Sequence, residues 1–264
     1  MTTTGQPALS AAQIDAFVTD GFVRLDAAFP RELADQCRAI LWRATGLDPD
    51  APQTWTRPVV RVGDIALPPF VAAANTDRLR SAYDQLVGIG RWQPRGSLGT
   101  FPIRFPSPDD PGDAGWHVDM SFGWEDNPSD FLSWRVNIHS RGRALLMLFL
   151  FSDVGEDDAP TRIRVGSHAD IARQLAPHGD NGMSLRELAV DGFAGSRHRP
   201  EMLATGAAGT VYLCHPFLVH AAQPHRGKQP RFMAQPALLP DPASGGDASD
   251  DNSPVQVAIR LALK

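Results

Sequence analysis

Ala144-Leu145-Leu146-Met147-Leu148-Phe149-Leu150-Phe151 is an unbroken apolar run closed by Ser152 and Asp153. It is far short of the ~20 residues that cross a bilayer, and it reads as a strand buried on both faces. Around it the apolar positions follow two different periods. In the first third they recur at helical spacing: Leu33, Cys37, Ile40 and Leu41 form one stripe of a helix opened by Pro30 and closed before Gly46. Ser10 with Gln13 is a capping-box pattern that opens a short helix to about Asp20, ended by Gly21. Phe22–Leu25 is a short strand, residues 57–62 are a second, and Asp77–Val87 is a helix capped by Thr76 or Asn75.

From about residue 97 the period changes. Short β-like runs at 98–105, 116–122, 132–139, 144–152, 161–165, 209–214, 218–223, 231–239 and 254–263 alternate with Gly, Pro and Asp turns. The last of them, Val255-Gln256-Val257-Ala258-Ile259-Arg260-Leu261, alternates as a half-buried strand does. Residues 166–190 break the series with helix, including a helix start capped by Ser167 and the capping box Ser184/Glu187. Many short strands joined by turns point to a mainly β fold with flanking helices, a two-sheet jelly roll rather than a parallel α/β sheet. No repeat or linker divides the chain, so residues 1–264 are taken as one domain: a helical layer over about 10–96, then the jelly-roll core over about 97–264. Residues 1–9 read as disordered and 240–253 as a Gly/Ser/Asp loop, a lid or an unstructured segment.

Composition narrows the function. A chain of 264 residues with 42% hydrophobic and 21% charged residues is an ordinary globular protein, and its net charge of −5 argues against nucleic acid as a partner. Cys37 and Cys214 are too few for a disulfide framework, and the first residues lack a basic region followed by an apolar one. The expected location is the cytoplasm, with no membrane partner. Lys228 and Lys264 are the lysines and every other basic residue is arginine, so a single arginine says little. Arg135, Arg141, Arg143, Arg162 and Arg164 are candidates to meet an acidic or phosphorylated substrate, but for the most part they are expected as solvated surface charge. Trp116, Phe122, Trp124 and Trp134 are expected to serve packing first and a substrate pocket second.

His-x-Asp occurs at His117/Asp119, His168/Asp170 and His178/Asp180. On a strand, residues two apart share a face, so imidazole and carboxylate converge. The second pair falls in a helix start and the third in a turn; Trp116, Val118 and Phe122 around the first suit a strand. One more histidine would complete two histidines and a carboxylate on one side of a metal, the arrangement that suits iron(II) and leaves positions open. His215, His220 and His225 follow the apolar run Gly209–Cys214, and His220 is preferred because it begins a short strand. Two histidines and a carboxylate also bind zinc, so a zinc hydrolase or a metal-binding jelly roll without turnover remain alternatives at this point.

Taken together, Gly21–Leu25, Gly115–Asp119, Leu148–Val154 leading to Val165-Gly166-Ser167-His168, and Gly209–His220 with Arg231 eleven residues later resemble the phytanoyl-CoA dioxygenase family in order and spacing. That resemblance implies a jelly roll of the double-stranded β-helix, cupin-like kind. It implies an oxygenase using iron(II), 2-oxoglutarate and O2 on a small-molecule substrate, with epimerisation on the same centre as another outcome. It implies His117, Asp119 and His220 as metal ligands and Arg231 as the anchor of the far carboxylate of 2-oxoglutarate. Trp134 and Arg104 lie near where further cosubstrate contacts are expected. His168 then marks a structural turn. The carboxylate of Asp119, where related halogenases carry a small residue, points away from halogenation. Ala222 departs from the family's pattern, which often has a hydroxyl residue two positions after the second histidine.

Overall fold

A computed structural model describes residues 7–242 and 252–264. In chain order its elements are α1 (Ala11–Asp20), β1 (Phe22–Leu25), α2 (Arg31–Thr45), β2 (Val59–Val62), α3 (Pro68–Ala74), α4 (Asp77–Val87), β3 (Phe101–Arg104), β4 (Arg135–Val136) and β5 (Leu145–Leu150). There follow β6 (Arg162–Arg164), α5 (Ser167–Leu175), β7 (Met183–Ser184), α6 (Leu185–Leu188), β8 (Glu201–Leu203), β9 (Val211–Cys214), β10 (His220–Ala221), β11 (Met233–Ala234), β12 (Ala237–Leu238) and α7 (Pro254–Ala262).

The strands form antiparallel sheets with helices flanking them, a jelly roll. The larger sheet runs β1-β9-β5-β11, with β12 also on β5; the smaller is β10-β6-β8. β5 shows how the layers are made. Every one of its residues is buried, and its side chains alternate between two cores. Leu145, Met147 and Phe149 join the cluster that includes Phe17, Leu41, Phe70, Leu79 and Phe101 of the helical layer and β3. Leu146, Leu148 and Leu150 join Ile163 of β6, Tyr212, Leu218 and Met233 between the two sheets. A strand with an apolar core on each face has no place for a polar residue, which is why the run is unbroken.

The helix boundaries follow their caps. Ser10 accepts from Gln13 N–H in a capping box, and Gly21 closes α1 in the left-handed region at φ 85°. Any side chain at Gly21 would also collide with the His168 ring, since a Cβ there would lie 2.4 Å from Nδ1. Thr76 caps α4 by accepting from Leu79 N–H. Pro30 is the N-cap of α2 rather than its first residue.

Several expectations are corrected. Residues 254–263 are not a strand but α7. Its apolar residues satisfy both periods, and burial follows the helical one: Val255, Ala258, Ile259 and Ala262 face inward. Ser253 caps it and Pro254 starts it, the local signals that favour helix over strand. It packs on α5, α1 and α4. Residues 116–122 form no ladder; single bridges tie His117 to His220 and Phe122 to Arg135. In the 132–139 run, Phe131–Ser133 is a 3-10 turn and only β4 is strand. Gly166, not Ser167, is the N-cap of α5, and Ser167 Oγ instead accepts from Val219 N–H. Helix α3 and strand β8 were not anticipated. Of the N-terminal nine residues, Leu9 is buried and its backbone is bonded to Gln85 of α4. Most of 240–253 lies outside the described residues. No described helix is long and apolar enough to cross a membrane.

Two buried histidines tie the helical layer together. His168 donates Nε2–H to Val18 O (3.1 Å), and His215 donates Nε2–H to Val255 O (3.2 Å); their rings lie 4.9 Å apart. Burial pushes His168 down to about 4. His215 is held well below the usual histidine range by burial, then by His168. The unfolded chain therefore takes up protons below about pH 6.5 that the folded chain refuses, so stability is full above that pH and is lost as pH falls toward 4. Denaturant unfolding at about pH 7 and pH 5 should differ by about 2 kcal/mol for His168, with His215 adding a loss of the same sign. Equal stabilities at the two pH values would refute neutral, buried rings.

Candidate metal centre and its arginine clamp

Two antiparallel backbone bridges build the site, each setting two polar side chains side by side. In the first, His117 and His220 exchange both N–H···O bonds (2.9 and 3.0 Å), and their rings stand 4.3 Å apart. In the second, Arg104 at the end of β3 and Arg231 exchange theirs (3.1 and 2.8 Å). Residues paired in this way project on the same face of the ladder. Asp119, two residues beyond His117, returns to the same side: its Oδ1 lies 3.8 Å from His117 Nε2 and 3.6 Å from His220 Nε2. Among the described residues these three are the group whose ligand atoms lie close enough to hold a metal ion, all within 4.8 Å of one another.

The donor chemistry fits such an ion. His117 Nδ1 faces Gly115 O (2.9 Å) and His220 Nδ1 faces Leu218 O (3.0 Å). A carbonyl only accepts, so each Nδ1 carries a proton and each ring turns Nε2 toward the cavity, where the Gln235 amide lies 2.8 Å from His220 Nε2. Burial, then the neighbouring His117, pushes His220 down to about 4, so it is neutral at pH 7. Burial disfavours the charge of Asp119, but Arg143 and then the two imidazoles outweigh it and hold the carboxyl below its usual range. Two imidazoles and one carboxylate on one face, with the opposite side open, are the set that suits iron(II).

The open side is a cavity of about 440 Å³. Its lining includes the three candidate ligands, Arg104, Arg231, Asp113, Thr161 and Gln235. Arg231 is fully buried; two backbone carbonyls, Ala159 O and Pro102 O, accept from its Nη atoms, and its Nε has no partner. Burial, then the charge of Arg104, pushes it down to about 9. Arg104 is buried too: Nη2 donates to Asp113 Oδ1 (2.8 Å), while Nε and Nη1 are unpartnered. Asp113 also pairs with Arg61. Two adjacent guanidiniums with unused N–H groups and a shared counter-ion fit a carboxylate guest.

The structure thus brings His117, Asp119, His220, Arg104 and Arg231 to one cavity. Trp134 does not line it. Its indole donates to Asn127 O (3.0 Å), and its ring stands edge-on to Trp124 and Phe131. Two arginines expected at the surface are not there. Arg164 is buried against Trp116 and bonded to Phe193 O and Ser196 Oγ. Arg143 pairs with Asp119 (3.2 Å) at 12% side-chain exposure. Gln235, whose amide lies 2.8 Å from His220 Nε2, was also missed. A glutamine inside the otherwise apolar Phe232–Ala237 run, and an arginine at the entry to a fully buried strand, were the signals available. Ala222 lines the cavity, so the position of the missing hydroxyl is at the site.

The sequence model of the phytanoyl-CoA dioxygenase (PhyH) family matches residues 101–233. No curated protein matches the chain. Among solved structures, the chain is similar to HygX from Streptomyces hygroscopicus with nickel, 2-oxoglutarate and hygromycin B bound, at 20% identity and TM-score 0.53 over 86% of each chain. It is similar to EctD from S. alaskensis with 2-oxoglutarate and 5-hydroxyectoine, at 19% identity and TM-score 0.56 over 92% of this chain and 79% of that one. It is also similar to the α-ketoglutarate-dependent carbocyclase SnoK from nogalamycin biosynthesis, at 18% identity and TM-score 0.53 over 90% and 87%. At these identities the likeness is one of fold.

Proposed function

The chain belongs to the phytanoyl-CoA dioxygenase family of iron(II)- and 2-oxoglutarate-dependent oxygenases, and from that premise we propose that His117, Asp119 and His220 hold the iron while Arg231, assisted by Arg104, holds 2-oxoglutarate. The carrying observation is that the three ligand atoms and the two under-bonded guanidiniums line one cavity. The substrate is a small organic molecule, in keeping with the hygromycin B and hydroxyectoine held by the similar structures, and the reaction oxidises one of its C–H bonds. The buried free thiols Cys37 and Cys214 agree with a cytoplasmic setting. Packing of α7 on α1, the two ends of the described chain, agrees with one domain.

Iron(II) with bound 2-oxoglutarate supplies the oxidising power: O2 and the cosubstrate are converted with the substrate C–H to succinate, carbon dioxide and a hydroxylated product. The rest is done by side chains. His117 and His220 turn Nε2 toward the cavity because their Nδ1–H groups are spent on backbone carbonyls, and the Gln235 amide beside His220 Nε2 would give way to the metal. Asp119 supplies the one negative charge of the ligand set. Arg231 stays protonated at pH 7 despite its burial, and its unpartnered Nε–H would be available to the far carboxylate of the cosubstrate. Arg104, its neighbour across the bridge, takes the part that a hydroxyl at position 222 plays elsewhere in the family.

Anaerobic titration of the iron(II) protein with 2-oxoglutarate tests this without a substrate. A visible metal-to-ligand charge-transfer band is expected to rise and saturate. If iron binds and no band forms, the assignment of this cavity to 2-oxoglutarate fails.

A further inference from the structure

Arg143 is the charged group nearest the candidate ligands that the reaction above leaves without a task. Asp119 divides its two oxygens. Oδ1 is the oxygen near both imidazoles, whereas Oδ2 lies 3.2 Å from Arg143 Nη1. The arginine is delivered there by an unusual turn. Ser140 and Gly142 both take left-handed backbone, at φ 54° and 80°. Ser140 Oγ donates to Arg143 O (2.5 Å), and Asn137 Oδ1 accepts from Arg141 N–H (3.0 Å). At Gly142 a Cβ would come 2.2 Å from Ser121 O, so the turn is pressed on the 117–122 segment as closely as backbone allows. Arg143 Nη2 then donates to Met120 O (3.3 Å), one residue past Asp119. Two residues later the chain enters β5, the all-buried strand at the middle of the larger sheet. Ser140 in left-handed backbone is locally strained, so the turn forms against a local penalty.

We propose that Arg143 is a positioning residue that holds Asp119 to ligation through one oxygen, which keeps the adjacent metal positions open for the bidentate cosubstrate. The inference rests on the reading of His117, Asp119 and His220 as the ligands. A carboxylate with both oxygens free closes on a divalent ion through both, and so takes up a position that 2-oxoglutarate needs. A guanidinium beside Oδ2, in an ion pair of 3.2 Å without a hydrogen bond from Nη1, opposes that closure by its charge. Its positive charge also weakens the hold of Asp119 on the metal. The proposal therefore makes a two-signed forecast: without Arg143 the bare ion is held as tightly or more tightly, while the cosubstrate is held less well.

The test uses the full chain loaded with cobalt(II), as wild type, Arg143→Met and Arg143→Gln, with thermal melts to confirm folding. Glutamine keeps an N–H for Met120 O and so preserves a purely structural tie, but it removes the charge. Both variants are expected to retain cobalt(II), to show an altered visible cobalt spectrum before any cosubstrate is added, and to bind 2-oxoglutarate more weakly by about tenfold or more. If Arg143→Gln keeps the wild-type spectrum and 2-oxoglutarate affinity, or if neither variant folds, Arg143 is structural and the proposal is overturned. If wild-type protein itself binds cobalt(II) but not 2-oxoglutarate, the fault lies with the functional reading and not with Arg143.

Discussion

Asp119→Ala is expected to abolish 2-oxoglutarate turnover and to weaken divalent-metal binding by more than the roughly 10–100-fold that follows loss of an outer partner. The expectation comes from charge. Asp119 is the one anion among the three candidate ligands, and the two histidines are positioned to bind as neutral rings. Its removal deletes a ligand and also leaves the Arg143 guanidinium, at 12% side-chain exposure, without a counter-ion beside the site. A cation then stands where the metal must arrive. Asp119→Asn keeps the shape and should retain weak metal binding without turnover. The measurements are cobalt(II) or nickel(II) titration for affinity and succinate formation for turnover, with melts to show that both variants fold. Wild-type succinate formation in Asp119→Ala would sink the ligand set.

Arg231→Met is expected to spare the metal and to weaken 2-oxoglutarate by about 10² to 10⁴-fold. Charge-assisted hydrogen bonds contribute about 1.5–3 kcal/mol each, and a carboxylate on a guanidinium makes two. The side chain has no alternative role at the surface, since it is 1% exposed and faces the cavity. Its burial already costs the fold, as its downward shift to about 9 records, so an anion that reaches it is repaid in affinity. Wild-type protein should melt at a higher temperature with 2-oxoglutarate present, by mass action, and the variant should not. The charge-transfer titration gives the affinity directly. An unchanged affinity in Arg231→Met would move the anchor to Arg104, the neighbouring guanidinium with two unpartnered N–H groups.

Local signals carried much of the fold. Caps and closing glycines gave α1, α2 and α4 to within a residue or two, because each satisfies orphaned backbone groups of its own helix. β5 was legible because a strand with a core on both faces is apolar throughout. The Val255–Leu261 run was misread because its apolar residues fit both periods. Which period is used depends on what lies opposite: α5 and α1 offer a groove for a helix, whereas β12, the strand before it, already pairs with β5.

The candidate site divides in the same way. His117 with Asp119 was readable from the two-residue repeat of an extended chain, and His220 and Arg231 from their order and spacing in a family resemblance. What those residues meet is decided by two cross-chain bridges, His117 to His220 and Arg104 to Arg231. Arg143 and Arg164 were missed for one reason. In an arginine-rich chain, residue type does not tell a solvated cation from a buried one, and the difference is made by how closely another segment packs. By itself the sequence determined the capped helices, the strand-rich core and the chemical types able to hold a metal and an acid. Only the tertiary structure decided which oxygen of Asp119 faces the histidines and which faces an arginine, because that depends on the approach of the 140–143 turn to the 117–122 segment, which is not its neighbour along the chain.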